Sequence, residues 1–224
     1  MTQTIAVIGG SGNLGAALAR RWAKAGRRVV IGSRDAAKAS AAAAQLAAEL
    51  KVEVGGAANL EAAQRADVVV VAVPFASQLQ VLEEIRAGLA GKVVIDTTVP
   101  LVPPKVMRVQ LPAEGSAAQR AQALLGDAVR LVSAFHNVAA HKLATDEEVQ
   151  CDVLVFGDDK GARAVAVELA QQAGLRGLHA GALANSAAAE ALTSILIFMN
   201  KTYRVDGAGI RITGQLDMDA AAAG

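Results

Sequence analysis

The sequence predicts an α/β protein: a Rossmann-like, doubly wound, mainly parallel sheet of about eight strands, with a small helical addition at its C-terminal end. Three observations carry this. Four apolar residues, Ile5 to Ile8, run directly into a glycine-rich turn and then into a helical pattern with Leu14, Leu18 and Trp22 on one face. Short apolar runs then alternate with helical patterns along most of the chain, the signature of right-handed βαβ crossovers. The run Asp67 to Val73 is apolar almost without interruption, as expected of a strand covered on both faces.

In order, Gly26 caps the first helix, and Val29 to Ile31 form a second strand. An alanine-rich helix spans Ala36 to Leu50, with Asp35 as its N-cap. Val52 to Val54 is expected as strand three, Ala57 to Arg65 as a short helix, and Asp67 to Val73 as strand four, stopped by Pro74. Gln78 to Leu89 reads as helix and Lys92 to Ile95 as strand five. Pro103, Pro104 and Pro112 mark an extended loop; Ser116 to Leu125 is helical and Ala128 to Ala134 is strand six. Strand seven covers Cys151 to Phe156, then Asp159 caps a helix from Lys160 to Ala173, and Leu175 to Ala180 gives strand eight. The last helix, Leu183 to Lys201, carries Leu192, Ile195, Leu196 and Met199 on one face, which either covers the sheet or meets a second subunit. Asp217 to Gly224 is expected to fray. Two parts are expected: residues 1–134, a dinucleotide-binding domain, and residues 135–224, a smaller part that completes the sheet and a second cleft.

With 53% hydrophobic and 19% charged residues the chain is globular, and a net charge of +1 without a basic block disfavours nucleic acid and anionic membrane surfaces as partners. Cys151 stands alone, which rules out an internal disulfide, and the histidines His136, His141 and His179 show no metal spacing. No secretory leader and no run long enough to span a bilayer are evident, so a cytoplasmic location is expected.

The turn Gly10-x-Gly12-x-x-Gly15 joins strand to helix at the start of the chain. There glycines permit a tight turn and close approach of backbone to a pyrophosphate, and the unpaired N–H groups of the helix favour an anion. Gly9-x-x-Gly12-x-x-Gly15 also fits the short-chain dehydrogenase spacing. The tyrosine–lysine pair of those enzymes is absent, since Tyr203 has Gly207 four positions on. NAD-specific folds place a carboxylate at the end of the second strand; here Ser33 and Arg34 occupy that place, with Lys38 one helical turn further. A guanidinium pairs with a 2′-phosphate where a carboxylate would repel it, so NADP(H) is the expected nucleotide. No acid–base set is evident at the strand ends Val73 to Ser77, Thr98 to Pro100 or Phe135 to Asn137. That fits a reaction between two redox coenzymes, in which hydride passes directly and no side chain is assigned a catalytic role.

The chain resembles the coenzyme F420-dependent NADP reductases up to about Thr213. The resemblance lies in Gly9 to Gly15, Gly32-Ser33-Arg34 with Lys38, Val73-Pro74 and the aromatic Phe75, Val99-Pro100, Ser133 to His136, Gly157 to Asp159, and Ala180 to Thr193. It implies NADPH-linked hydride transfer to the deazaflavin coenzyme F420. Ser11, Gly12, Asn13, Leu14, Ser33, Arg34 and Lys38 carry over as NADP-binding residues, and Val73, Ser77, Val99 and Ala140 as the wall around the rest of the nucleotide. The resemblance places the deazaflavin ring near His136 and Gly207-Ala208-Gly209. Departures fall on that side: Ala208 stands where a bulkier apolar residue is usual, Asn137-Val138 replace a Thr-Ile type pair, and Ala139 replaces Pro. Reduction of a flavin, a quinone or a ferric chelate by the same NADPH site, or a non-catalytic NADP sensor, are the alternatives. A homodimer through the helix 183–201 is expected.

Overall fold

The computed structural model describes residues 3–218. Its elements are β1 (Thr4–Ile8), α1 (Asn13–Lys24), β2 (Arg28–Ser33), α2 (Ala36–Leu50), β3 (Val54–Ala58), α3 (Asn59–Arg65), β4 (Val68–Val71), α4 (Gln78–Ile85), β5 (Val93–Asp96), α5 (Ala117–Leu125), β6 (Arg130–Ser133), α6 (Ala140–Leu143), β7 (Asp152–Gly157), α7 (Lys160–Gln172), β8 (Arg176–His179) and α8 (Ser186–Tyr203). The strands form one eight-stranded sheet in the order β3-β2-β1-β4-β5-β6-β7-β8. The six strands β1 to β6 pair in parallel, β7 turns antiparallel to β6, and β8 is parallel to β7. The order reverses at β1, with β2 on one side and β4 on the other. A doubly wound sheet opens a crevice at that point.

Two apolar layers sandwich the sheet. On one face Ile5, Val7, Val29 and Ile31 pack against Leu18 and Trp22 of α1 and against Ala162, Ala166 and Leu169 of α7. On the other, Ala6, Ile8, Val69 and Val71 meet Ala62 of α3, Leu82 and Ile85 of α4 and Ala121 of α5. Trp22 pins the first layer: its indole N–H donates to the Leu169 carbonyl at 2.8 Å, and its ring meets Phe135 edge-on at 5.9 Å.

The helix starts follow the residue chemistry. Asp35 caps α2 by accepting from the Ala37 and Lys38 amides, Asp159 caps α7 through the Ala162 amide, and Ser116 caps α5 through Gln119. Gly26, at φ +80°, ends the chain's turn out of α1.

Several boundaries differ from the sequence reading. β3 begins at Val54 and runs through Gly55 and Gly56, not over Val52 to Val54. β4 stops at Val71, so Val73 lies in the loop that Pro74 continues. α4 ends at Ile85 and tightens into a 3-10 turn at Arg86–Gly88; a similar turn, Leu183–Asn185, precedes α8. The four-residue helix α6 was not expected. In α8 the apolar face divides: Leu196 is buried, whereas Ile195 and Met199 are exposed, together with Phe198 and Tyr203. No described helix is long and apolar enough to cross a membrane. Of the segment expected to fray, residues 219–224 lie outside the described residues.

Candidate functional site: the carboxyl edge of the sheet

Parallel pairing lines up the carboxyl ends of β2, β1, β4, β5 and β6. The chain holds these ends together by bonds that extend the ladders: the Gly9 amide to the Gly32 carbonyl at 3.1 Å, Ala72 to Ile8 at 2.9 Å, Thr97 to Val71 at 3.0 Å and Ala134 to Asp96 at 3.1 Å. Ser33, the glycine turn, Val73, Val99 and His136 therefore emerge along one edge.

The turn between β1 and α1 depends on three glycines, among them Gly10, where a Cβ would fall 2.8 Å from the Val7 carbonyl oxygen. Gly9 has φ +82°, and a Cβ there would fall 2.5 Å from the Ala72 carbonyl oxygen. A Cβ at Gly15 would fall 2.4 Å from the Gly9 carbonyl oxygen, so α1 approaches the turn closely. Gly12 occupies the N-cap of α1 and offers no side-chain acceptor. The first amides of α1, at Asn13, Leu14 and Gly15, lack helical partners and face the edge with the positive end of the helix dipole. Ser11, Gly12 and Asn13 are exposed there, Leu14 is half-buried, and Gly10 and Gly15 are buried beneath them.

Ser33 closes β2, and its hydroxyl accepts from the Asp35 amide at 3.2 Å. Because Asp35 is turned into the start of α2, the carboxylate faces backbone amides and not the strand end. Arg34 and Lys38 are exposed, and neither is in an ion pair among the described residues. The strand end thus presents two cations and a hydroxyl. A cavity of about 670 Å³ opens beside the turn, lined by Gly10, Ser11, Asn13 and Ile31 above, by Ala140 and His141 of α6 on one flank, and by Ala42 and Gln45 of α2 on the other. Of the residues expected to bind coenzyme, Gly10, Ser11, Asn13 and Ala140 line this space. Gly12, Leu14, Gly15, Ser33, Arg34, Lys38, Val73, Ser77, Val99, His136 and Ala208 stand outside it.

Val73, Ser77 and Val99 are half-buried in the loops after β4 and β5. A buried polar network supports those loops. The Gln78 amide group donates to Asp96 and to the Ala117 carbonyl, and Asp96 in turn accepts from the Thr98 amide. Thr97 and Thr98 bond the Val71 and Val73 carbonyls. Glu190 of α8 enters the same network, accepting from the Ala117 and Ala118 amides at the start of α5 and from the Ser186 hydroxyl. Burial pushes the Glu190 carboxyl up to about 7, against the pull of those three donors, and pushes Asp96 upward as well.

His136 follows β6 after Phe135, which takes φ +67° while fully buried. Such a conformation costs a bulky residue about 1–3 kcal/mol, and here it turns the next residue back beneath the edge. The His136 Nε2 lies 2.7 Å from the Ser133 hydroxyl, and burial drives its pKa down to about 3. It is a neutral, internally bonded imidazole with no proton to lend near neutrality.

Residues outside the expected coenzyme-binding set hold this segment. The Asn137 side chain donates to the Ala189 carbonyl at 2.9 Å and to the Thr193 hydroxyl at 3.0 Å, and Thr193 donates to the His136 carbonyl. Arg21 of α1 grips the carbonyl of Leu143, the last residue of α6, and that of Glu147 beyond it. Ala208 sits in the chain that follows α8; its amide donates to Asn200 at 2.7 Å, and its neighbour Gly207 lies against Ala139 and His141. The structure therefore brings the Ala208 segment next to α6.

A family model described as "NADP oxidoreductase coenzyme F420-dependent" matches residues 4–100. The F420-dependent NADP reductase of Methanothermobacter thermautotrophicus is 44% identical over 222 residues, which covers 95% of this chain and 96% of that protein. The chain belongs to the F420-dependent NADP reductases. The reductase of that name from Methanocaldococcus jannaschii is 38% identical over 219 residues, 93% of this chain and 97% of its own. Among solved structures, an Arthrobacter sp. FB24 protein designated an F420-dependent NADP-reductase superposes with a TM-score of 0.77 at 25% identity, covering 95% of this chain and all (100%) of that one. The eight-stranded, mostly parallel Rossmann-like sheet is thus that of the family.

Proposed function

We propose that this reductase moves hydride between NADPH and coenzyme F420 along the carboxyl edge of the sheet. The observation that carries the reading is the near full-length identity to proteins named for that reaction, 44% over 222 residues. In balance, NADPH, oxidised F420 and one proton give NADP⁺ and reduced F420; the hydride leaves the nicotinamide C4 and joins the deazaflavin ring, and the proton comes from water. The protein's contribution is position. Reacting carbons must be held about 3–3.5 Å apart, which converts an encounter in solution into an effectively unimolecular step.

In this reading the amides of Asn13, Leu14 and Gly15 receive the pyrophosphate above Gly10, Ser11 and Gly12. Ser33, Arg34 and Lys38 receive the 2′-phosphate. A bidentate guanidinium and an ammonium select NADP over NAD. Val73, Ser77, Val99 and Ala140 wall the nicotinamide half, and the deazaflavin lies beyond it between His136 and Ala208. A neutral His136 leaves that place without a fixed charge, so it neither attracts nor repels the transferring hydride.

The same reading divides the chain at residue 134, into a nucleotide-holding part and a C-terminal part that supplies the acceptor wall. It also pairs two copies through α8, whose exposed Ile195, Phe198, Met199 and Tyr203 form an apolar face of a kind soluble monomers rarely leave uncovered. The protein then acts in the cytoplasm on dissolved coenzymes, not on nucleic acid. The test is steady-state oxidation of NADPH with F420, flavin mononucleotide, a quinone and a ferric chelate in turn. F420 is expected to support turnover and the others not. Turnover with flavin mononucleotide alone would replace the acceptor, and tight NADPH binding without any turnover would make the protein a sensor.

A further inference from the structure

After α8 the chain does not leave the molecule. It turns at Arg204 and Gly207, both at positive φ, and runs back across the start of β7. The reversal of β7 explains why it ends up there. β7 is antiparallel to β6 with Ser133 opposite Phe156, so its first residues project past the carboxyl end of β6. β8 is parallel to β7 with Arg176 opposite Asp152, so both residues stand at the site's edge of the sheet.

These two side chains grip one stretch of backbone. Arg176 donates to both Asp152 oxygens, at 2.8 and 2.6 Å, and from Nη2 also to the Ile212 carbonyl at 2.8 Å. The Ile212 amide donates to Asp152 Oδ2 at 2.6 Å, and the Asp152 amide donates to the Ile210 carbonyl at 2.8 Å. The Asp152 side chain is 2% exposed and that of Arg176 35%. Upstream, Asn200 holds the Ala208 amide. Gly207, Ala208 and Gly209 are thus fixed at both ends and pressed inward: a Cβ at Gly209 would fall 2.8 Å from the Cys151 sulfur, and that sulfur donates to the Asn137 carbonyl. A half-buried ion pair contributes little to stability alone, since desolvation of the buried carboxylate offsets much of its attraction. Here the pair recognises both polar groups of a single residue, Ile212, its carbonyl through Arg176 and its amide through Asp152, which fixes the register of the strap to the residue.

We propose that Asp152 and Arg176 are positioning residues, a latch that sets the strap 207–212 so that Gly207-Ala208-Gly209 forms the wall against which the acceptor ring stacks. The inference rests on the placement of the deazaflavin proposed above. The latch acts first on the acceptor, because the expected NADP residues are carried by other elements, apart from Ala140 on the helix α6 that Gly207 packs against.

Arg176→Met removes the fork and keeps the bulk; Arg176→Lys keeps the charge as a single point donor. Amide hydrogen exchange of residues 208–212 is expected to accelerate in Arg176→Met and by less in Arg176→Lys. In steady state Arg176→Met should raise the KM for F420 about tenfold, as expected when an acceptor contact is lost, with the NADPH dissociation constant unchanged. Unchanged exchange would overturn the latch. Faster exchange with an unaltered F420 KM, or equal loss for both coenzymes, would overturn its positioning role. Should Arg176→Met not fold, the wild-type protein decides: F420 must slow exchange at 208–212 where NADPH alone does not, and no slowing refutes the proposal. If the wild-type protein shows no turnover of F420, the proposed reaction falls and the positioning role with it, while the exchange comparison still decides whether the pair holds the strap.

Discussion

Substitution of Arg34 by Ala separates the two nicotinamide nucleotides. Arg34 stands exposed one residue beyond the half-buried Ser33, with Asp35 turned away into the cap of α2. The variant therefore removes a cation without freeing a buried carboxylate. A hydrogen bond to a charged group contributes about 1.5–3 kcal/mol. At about 1.4 kcal/mol per decade, losing one such bond weakens NADPH about tenfold, and losing a bidentate pair about 100-fold. Exposure places the effect toward the lower figure, and Lys38 retains part of the attraction. At 1 M salt, where the screening length falls to about 3 Å, the difference between wild type and variant should shrink. NADH carries no 2′-phosphate, and its dissociation constant should stay within about twofold, since a distant surface change moves it little. Calorimetric titration of both nucleotides into both proteins at two salt concentrations gives all the terms. Equal losses for NADPH and NADH, or a loss for NADPH that does not depend on salt, would refute the 2′-phosphate assignment.

Glu190 gives a pH signature. Its carboxyl binds a proton more tightly in the folded state, at about 7, than at the ordinary 4.5 of the unfolded chain. The stabilisation from that proton is complete below 4.5 and is lost as pH rises through 7, on the order of 3 kcal/mol for a shift of this size. Glu190→Gln, which keeps an acceptor for the α5 amides, should flatten the fall in Tm between pH 5 and pH 8 by several degrees in scanning calorimetry; an unaltered slope would contradict the reading. For the α8 surface, Phe198→Glu should weaken self-association about tenfold or more, as loss of a buried aromatic anchor does, and sedimentation velocity would reveal it. A wild-type protein that sediments as a monomer at all concentrations would dispose of that interface.

The first part of the fold was plain in the sequence because local signals agree there. Ile5 to Ile8, the glycine turn and the Leu14, Leu18 and Trp22 face define one βα unit, and Asp35 and Asp159 occupy the caps expected of them. β3 starts later than the apolar run Val52 to Val54 suggests, for a physical reason. Gly55 and Gly56 look like strand breakers, yet a Cβ at Gly56 would fall 2.6 Å from the Ala39 carbonyl oxygen, so close packing of α2 on the strand excludes a side chain. The antiparallel turn of β7 was invisible because apolar runs carry no direction. α6, with four residues, is too short to show a period.

The site divides in the same way. The placement of Ser33, Arg34 and Lys38 at the carboxyl end of β2 was legible because they lie at fixed distances from the glycine turn in the chain. The polar ties around β7, α8 and the chain after it were not. Asn137 to Ala189, Glu190 to Ala117, and Asp152 with Arg176 to Ile212 join residues 52, 73, 60 and 36 positions apart. No periodicity encodes such pairs; they follow only once β7 has reversed and α8 has folded back over the edge.

Direct passage of hydride between two coenzymes held on one edge of the sheet underlies the proposed function. It is tested most directly by isotope transfer, with NADPH deuterated at the transferring C4 position and F420 as acceptor in ordinary water. Deuterium retained in the reduced F420, observed by mass spectrometry, is the predicted result. Unlabelled reduced F420, with the deuterium in the solvent, would contradict it.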